Sequence, residues 1–300
     1  MIGNREKGRS PMIISVASGK GGTGKTTVAT SLALLLSEDR SQRVQLLDCD
    51  VEEPNAYIFL KPQIEKSQPV NILIPKVDMR KCNYCGECAK VCVYNAIVVL
   101  KREALVFPEL CHGCGGCSLF CPENAISEEE RKIGVIEEGQ VRRIQIRTGP
   151  VSFIQGRLNI GEPMATPLIR AIKKKISPDG VTIIDVPPGT SCPVIEAVHK
   201  SDFCILVTEP TPFGLNDLKL AVETMRKLKI DHGVVINRAN IGDDKVKEYC
   251  NKESVPIMAE IPYDRNVAVL YSSGIPMLIE GEKYRKIFGQ LWASIKKRVK

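Results

Sequence analysis

Nowhere in its 300 residues does the chain hold an apolar run long enough to cross a bilayer. The longest runs, Ile13 to Ala17 and Ala29 to Leu36, fall far short of the roughly 20 residues that a spanning helix needs. The chain also opens without an apolar stretch followed by a small-residue cleavage site, so no secretory leader is expected and the expected compartment is the cytoplasm. That absence decides how the 12 cysteines are read. A reducing compartment excludes a disulfide framework and leaves metal or redox chemistry. No segment has the composition of a disordered tail. A concentrated basic surface is missing as well. The formal charge is +7, but lysines and arginines are spread along the chain except at Lys173 to Lys175 and at Lys296, Lys297, Arg298 and Lys300. Those two groups read as solvated helix faces, so neither nucleic acid nor a membrane span is expected. The length suits one large core with room for a compact insert.

What is present begins at "MIISVASGKGGTGKTTVATSLALLLSED", which reads as a buried β-branched strand, a glycine-rich turn and a helix with an apolar face. Gly19, Gly24, Lys25 and Thr26 fit the pattern G-x-x-x-x-G-K-[ST]. Glycines let successive N–H groups converge on phosphates, and the helix that follows presents its positive end to them. The candidate phosphate-binding set is therefore Gly19, Gly21, Gly22, Thr23, Gly24, Lys25, Thr26 and Thr27. Lys25 is expected to neutralise the β and γ phosphates, and the Thr26 hydroxyl to ligate Mg²⁺.

Lys20 directly follows the first glycine, and "KGGTGKTT" resembles the deviant phosphate loop of the MinD, ParA, Mrp and nitrogenase iron protein superfamily. The resemblance implies a SIMIBI-type P-loop NTPase fold, ATP or ADP as ligand, and a homodimer that forms on ATP binding, with Lys20 reaching the partner's phosphates while Lys25 and Thr26 act within the chain. It extends to further motifs in order. In "VQLLDCDVEEPN", Asp50 matches the aspartate that positions the attacking water and is counted with Thr26 and Asp185 as a Mg²⁺ ligand, direct or through water, and Asp48 lies next to it. In "VTIIDVPPGTSCP", Asp185 matches the acid that holds Mg²⁺ through water, and Pro187, Pro188 and Gly189 match a stiff switch turn. Asn237 in "VVINRAN" matches an adenine-reading asparagine, and Pro262, Tyr263 and Asp264 resemble the loop that closes over the base. Apolar strands at Ile13 to Ala17, Val44 to Leu47, Val181 to Ile184, Phe203 to Val207 and Val234 to Ile236 alternate with helical segments. That alternation predicts an α/β, doubly wound, mostly parallel sheet with ligands at the carboxyl ends of its strands.

Cys82, Cys85, Cys88 and Cys92 are spaced C-x2-C-x2-C-x3-C, and the same run returns at Cys111, Cys114, Cys117 and Cys121. The offset of 29 residues also maps Ala96 and Ile97 onto Ala125 and Ile126, so the segment is an internal duplication. It resembles a bacterial ferredoxin with two [4Fe–4S] clusters. The resemblance implies that the fourth cysteine of each run serves the other cluster. Cys82, Cys85, Cys88 and Cys121 would then hold one, and Cys111, Cys114, Cys117 and Cys92 the second. Pro122 follows the second run as that pattern expects, whereas Val93 stands where the first would have proline. Paired C-x2-C units also make zinc sites, which is the other reading of these residues. With two oxidised clusters the net charge falls to about +3.

The expected organisation is a first ATPase segment at 1–62, an inserted α+β ferredoxin-like domain at 63–148 with its cluster core at about 76–128, and a second ATPase segment at 149–300. "KIGVIEEGQVRRIQIRTG" alternates apolar and polar residues around a glycine and predicts a hairpin that returns the chain to the sheet. Of the other cysteines, Cys204 and Cys250 read as packing residues. Cys192 stands at the offset from Asp185 where the nitrogenase iron protein places a cluster cysteine, but the second such cysteine has no counterpart, nor does any cysteine follow Cys250. "YRKIFGQLWASIKKRVK" sets Ile287, Phe288, Leu291, Trp292 and Ile295 on one helix face, read as the domain's last helix. Together these features imply a slow ATPase coupled to two clusters that pass electrons to a protein partner. The alternatives are a factor that assembles or delivers clusters to an accepting protein, and a spatial regulator that senses redox state.

Overall fold

The computed structural model describes residues 11–142 and 148–299. The β-branched run at the start forms β1 (Met12–Ala17), and the glycine-rich turn leads into α1 (Lys25–Ser37). Strand β2 (Val44–Asp48), a loop and the short α2 (Ala56–Leu60) follow. Next comes β3 (Gln63–Val77), at 15 residues one of the two longest strands, which carries the chain away to the cysteine region. That region holds α3 (Glu87–Val91), a hairpin of β4 (Ile97–Leu100) and β5 (Glu103–Val106), and α4 (Gly116–Leu119). The return is a single strand, β6 (Ile126–Val141). Five further strands alternate with helices: β7 (Val151–Leu158), α5 (Thr166–Lys173), β8 (Val181–Asp185), α6 (Cys192–Val198), β9 (Phe203–Thr208), α7 (Pro212–Leu228), β10 (His232–Asn237), α8 (Lys245–Lys252), β11 (Ile257–Ile261), α9 (Arg265–Ser272) and α10 (Glu282–Arg298).

One nine-stranded sheet runs in the order β11-β10-β9-β1-β8-β2-β7-β6-β3. The strands from β11 to β7 are mutually parallel, as the alternating pattern predicts, while β6 and β3 are antiparallel additions at one edge. Helices cover both faces. On one, Val28 and Leu32 of α1 and Phe288, Leu291 and Ile295 of α10 close over Val16, Leu46, Phe153 and Phe203. On the other, Leu168 of α5, Val194 of α6, Leu218 of α7 and Val246 of α8 cover Leu47, Ile154, Ile184 and Ile236. Ile287 and Trp292 pack at the margin of the first core, so the apolar stripe of α10 is spent inside the domain. Among the described residues, no helix is long and apolar enough to cross a membrane.

The segment after the cysteines differs from the sequence expectation in one respect. It does pair with β7, from Gly134 opposite Leu158 to Val141 opposite Val151, and Gly139 stands inside that pairing opposite Phe153, so it is not the turn. Gly139 is inside the strand because a Cβ there would lie 2.3 Å from the Gln63 carbonyl oxygen, so β3 and β6 could not approach each other with a larger residue. Residues 143–147 of the expected hairpin lie outside the described residues. Beyond Gly134, β6 leaves β7 and continues with β3 alone, down to Ile126 opposite Val77. A two-stranded arm thus extends the sheet by the length of about eight residues, roughly 25 Å. At its end Ile97, Ile126 and Cys88 form a small separate core with Val77, Val99 and Val106.

Candidate functional site

The glycine-rich turn sits at the carboxyl end of β1, where parallel sheets place ligands. Gly24 adopts φ +96°, and a Cβ there would come within 2.5 Å of the Asn237 side-chain nitrogen. Only glycine fits that conformation and that gap. Lys25, Thr26 and Thr27 occupy the buried first turn of α1, which no side chain caps, so its N–H groups face the cleft. A cleft of about 390 Å³ brings Gly21, Gly22, Gly24, Lys25, Thr26 and Thr27 together with Asp50, Asn237, Pro262, Tyr263 and Asp264. Gly19, Lys20, Thr23 and Asp185 lie outside its lining. Gly19 rests against Asp217 of α7. Lys20 is half-buried, its carbonyl accepting from the Ser18 hydroxyl at 2.5 Å.

Behind the cleft, β2 and β8 lie side by side with Asp48 opposite Asp185, and both carboxyls are fully buried. The Asp48 carboxyl accepts from the backbone N–H of Asp50 at 3.1 Å, Asn55 at 3.1 Å and Ala56 at 3.0 Å. Burial, then the neighbouring Asp185, push its pKa well above the usual carboxylate range. Asp185 is pushed up to about 6 by burial, opposed by the Lys25 ammonium and the Thr26 hydroxyl, and neither of its oxygens makes a hydrogen bond of good geometry. Asp50 is likewise raised to about 6 by burial, with Lys25 opposing and Asp185, Glu52 and Glu53 adding to it. The Asp185 carboxyl, orphaned between the Lys25 ammonium and the Thr26 hydroxyl, fits a divalent cation of the Mg²⁺ kind, which takes one or two carboxylates and keeps several waters.

Two expected base-binding residues have their side chains engaged by the protein. Asn237 donates to the Thr23 carbonyl at 2.8 Å and accepts from the Arg238 N–H at 3.0 Å. Asp264 caps α9, accepting from the Asn266 N–H at 3.0 Å, and accepts from the Tyr284 hydroxyl at 3.0 Å. The Tyr263 N–H is held by the Asn240 side chain at 2.5 Å. Sequence reasoning passed over Glu53, Asn55, Arg238 and Tyr271, which also line the cleft. Asn55 carried a signal, since it closes the "VEEPN" stretch, and its side-chain oxygen is buried without a partner.

At the far end of the arm the two cysteine runs keep their duplication in three dimensions. Asn95 and Asn124, 29 positions apart, both turn through positive φ, at 52° and 48°. The residue after each directs its N–H at a sulfur: Ala96 at Cys92 and Ala125 at Cys121, both at 3.3 Å. Cys92, Cys111, Cys114 and Cys117 line one cavity, beside a stacked pair of rings, Tyr94 and His112, 3.5 Å apart. Burial raises the Cys88 thiol, its electrostatic neighbours Cys82, Cys121 and Cys85 raise it further, and the Ala89 N–H opposes them. Burial also raises Cys111, with Cys114 and Cys92 adding to it and the Gly113 N–H and Arg131 opposing, and it pushes Cys117 up to about 11. Clustered thiols that burial keeps from ionising alone, with N–H donors aimed at their sulfurs, fit a cationic inorganic core. Among the described residues no group of three or more His, Cys, Asp or Glu side chains could hold a single metal ion. A cubane core is larger than one ion and needs its sulfurs held further apart. Cys49, Cys204 and Cys250 are buried, and Cys192 is exposed at the start of α6.

With this geometry in view, comparison with known proteins gives three kinds of match. The family model described as the CobQ/CobB/MinD/ParA nucleotide binding domain matches residues 14–277. The chain is 33% identical over 290 residues to an uncharacterised protein of Methanocaldococcus jannaschii, covering 95% of this chain and 96% of that one. It is 24% identical over 284 residues to an iron-sulfur cluster carrier protein of Pyrococcus abyssi, covering 90% of this chain and 80% of the relative. Among solved structures it resembles the septum site-determining protein MinD of Pyrococcus horikoshii complexed with Mg-ADP. That match has a TM-score of 0.56 at 20% identity and covers 96% of both chains.

Proposed function

The chain belongs to the CobQ/CobB/MinD/ParA family of nucleotide-binding domains, and on that premise we propose an ATPase whose nucleotide state governs two ferredoxin-type clusters that pass electrons to a protein partner. Lys25 binds the β and γ phosphates from the first turn of α1. Thr26 and Asp185 would hold Mg²⁺, which would neutralise the phosphate charge, and a cation there would relieve the orphaned Asp185 carboxylate. Asp50 orients the water that attacks the γ-phosphorus, the bond to the ADP oxygen breaks, and inorganic phosphate leaves. Lys20, outside the cleft lining of its own chain, acts on the nucleotide of a second copy. Asn237, released from Thr23, reads the base, and Pro262, Tyr263 and Asp264 close over it.

Cys82, Cys85, Cys88 and Cys121 hold one [4Fe–4S] cluster, and Cys111, Cys114, Cys117 and Cys92 the other. When bound, each supplies a one-electron couple. The observation that carries the reading is the path of the chain. Asp48 anchors the loop after Asp50 to the start of α2, β3 begins three residues after α2 ends, and Cys82 lies five residues beyond the end of β3. A continuous strand thus joins the nucleotide loop to the cysteine region, paired along its whole length with β6. Iron and sulfide analysis of protein purified without oxygen, followed by redox titration with and without MgATP, tests the reading. The expected result is two clusters per chain, at least one with a nucleotide-dependent midpoint. Zinc or no metal in the cysteines, or midpoints indifferent to MgATP, overturns it.

The relative named as an iron-sulfur cluster carrier supports a second reading, delivery of a cluster to an apo-protein. It predicts that iron and sulfide leave the cysteine runs for an acceptor within minutes, whereas the electron-transfer reading predicts that they stay.

A further inference from the structure

We propose that the ion pair of Arg131 and Glu162 is the relay through which the nucleotide loop sets the reduction potential of the cluster at Cys92, Cys111, Cys114 and Cys117. This inference rests on the function proposed above and names the device that would couple its two halves. Arg131 meets Glu162 through two parallel contacts, its second nitrogen lying 3.2 Å from the carboxylate. The pair is largely shielded, with side-chain exposures of 18% and 3%. Its members belong to different parts of the molecule. Arg131 is on the arm, in β6, directly opposite Ile72 of β3. Glu162 lies between β7 and α5, in the body.

Short contacts extend from each side of the pair. Toward the nucleotide, the carbonyl of Val51, the residue after Asp50, accepts from the Leu158 N–H at 2.9 Å. The segment after Leu158 then grips β6: the Asn159 N–H donates to the Ile133 carbonyl and its side-chain amide to the Lys132 carbonyl, both at 2.9 Å. Toward the cysteines, the loop from Cys111 to Gly113 lies on β3, where a Cβ at Gly113 would be 3.0 Å from the Leu73 carbonyl and 3.6 Å from the Ile72 Cβ. Ile72 and Cys111 share one buried core. Arg131 therefore sits across a single ladder rung from the strand against which this cysteine loop lies, and its positive charge acts on Cys111. A displacement of Val51 that drew Glu162 toward or away from Arg131 would change how much of that positive charge the cluster feels. In a shielded setting such a change is weakly screened.

A purely structural role, clamping the arm to the body, predicts loss of stability and nothing more. The relay predicts a signature in the potentials, read by redox titration of the iron-loaded full chain followed by EPR, with MgATP and with MgADP. Arg131→Met removes a cation that favours the reduced cluster, so one midpoint falls while the other stays. Glu162→Gln leaves the cation without its counter-charge, so the same midpoint rises. In both variants the difference between the ATP and ADP states is lost. Arg131→Lys keeps the charge without the fork; it restores the midpoint and does not restore the nucleotide dependence. Should Arg131→Met fail to load iron, the other two variants carry the test. A nucleotide-dependent midpoint that survives unchanged in Glu162→Gln and Arg131→Lys overturns the relay and leaves the proposed function standing. Midpoints indifferent to nucleotide in the unsubstituted protein overturn both.

Discussion

The side-chain amide of Asn237 donates to the carbonyl of Thr23 at 2.8 Å, tying the end of β10 to the phosphate loop. The contact passes directly over Gly24, where a Cβ would be 2.5 Å from the same nitrogen. Gly24→Ala therefore meets two penalties. Its φ of +96° costs an L-residue about 1–2 kcal/mol, and the new methyl displaces Asn237. The first penalty falls on the fold and should show as a loss of about 1–2 kcal/mol in urea unfolding; the second rearranges the phosphate loop, so the affinity of the folded protein for ATP and ADP should fall at least about tenfold, or about 1.4 kcal/mol. Titration with a fluorescent adenine nucleotide checks it, and an affinity equal to that of the unsubstituted protein contradicts the geometry.

Asp48 is the second point where the loop is held. It is fully buried and accepts three backbone N–H groups, from Asp50, Asn55 and Ala56. Asp48→Ala strands those donors, at about 1–3 kcal/mol for each one that water does not reach. A loss of about 2–4 kcal/mol in urea unfolding is expected near pH 4, where the proton that burial favours on Asp48 is present in the folded and the unfolded chain alike. Because the freed segment carries Asp50, single-turnover ATP hydrolysis should slow more than ATP binding weakens. A variant in which both change equally would show that Asp48 does not position Asp50.

Asp185 shows the opposite balance, with function set against stability. Its folded pKa of about 6 stands above the ordinary carboxylate value of 3.8, so the folded apoprotein holds a proton that the unfolded chain releases. The sign follows: stability from this group is fully present below the unfolded value and is lost as pH rises from about 4 to about 6. Asp50, raised to about 6 chiefly by burial, acts in the same direction. Asp185→Asn should therefore unfold at higher urea than the unsubstituted apoprotein at pH 7, and the advantage should vanish near pH 4. The same substitution should abolish the stabilisation given by Mg²⁺ with nucleotide. If it is neutral to apoprotein stability at pH 7, the buried carboxylate is not the liability argued for.

These residues show where the sequence was readable. The apolar strand runs ending at Asp48 and Asp185 and the glycine-lysine loop were legible because strand, turn and helix signals there are local, and they meet at the carboxyl ends of the adjacent central strands β1, β8 and β2. The cysteine duplication was readable for a similar reason, since each run is short and repeats at a fixed offset. The arm was less legible. β3, with "QIEKSQPVNILIPKV", is mostly exposed and contains Pro69 and Pro75, features that weigh against a strand from sequence alone. They are tolerated because β3 is the sheet's outermost strand, bonded only to β6. Gly139 looked like a turn because a close backbone approach and a turn select the same residue. The pairing of Arg131 with Glu162 leaves no periodic or local trace at all.

The proposed exchange of the fourth cysteine between the two runs gives the sharpest test of the cysteine region. Cys92 belongs in sequence to the first run, yet it lines the same cavity as Cys111, Cys114 and Cys117 of the second. Cys121 belongs to the second, yet it is an electrostatic neighbour of Cys88. Ligands of one cluster act as a unit, so their losses should not add. Cys92→Ala and Cys111→Ala should therefore remove the same EPR signal, and the double variant should be no worse than either single one. Cys121→Ala and Cys82→Ala should remove the other signal. In each case iron should fall from about eight atoms to about four per chain, as expected for one of two four-iron clusters. Exchange also separates this arrangement from one in which each run closes on its own metal. There, Cys92→Ala would match Cys82→Ala, and combining Cys92→Ala with Cys111→Ala would empty both sites. Pairwise comparison of the spectra decides between the two arrangements without reference to ATP or to any partner protein, so the result holds even if the nucleotide has no influence on the clusters.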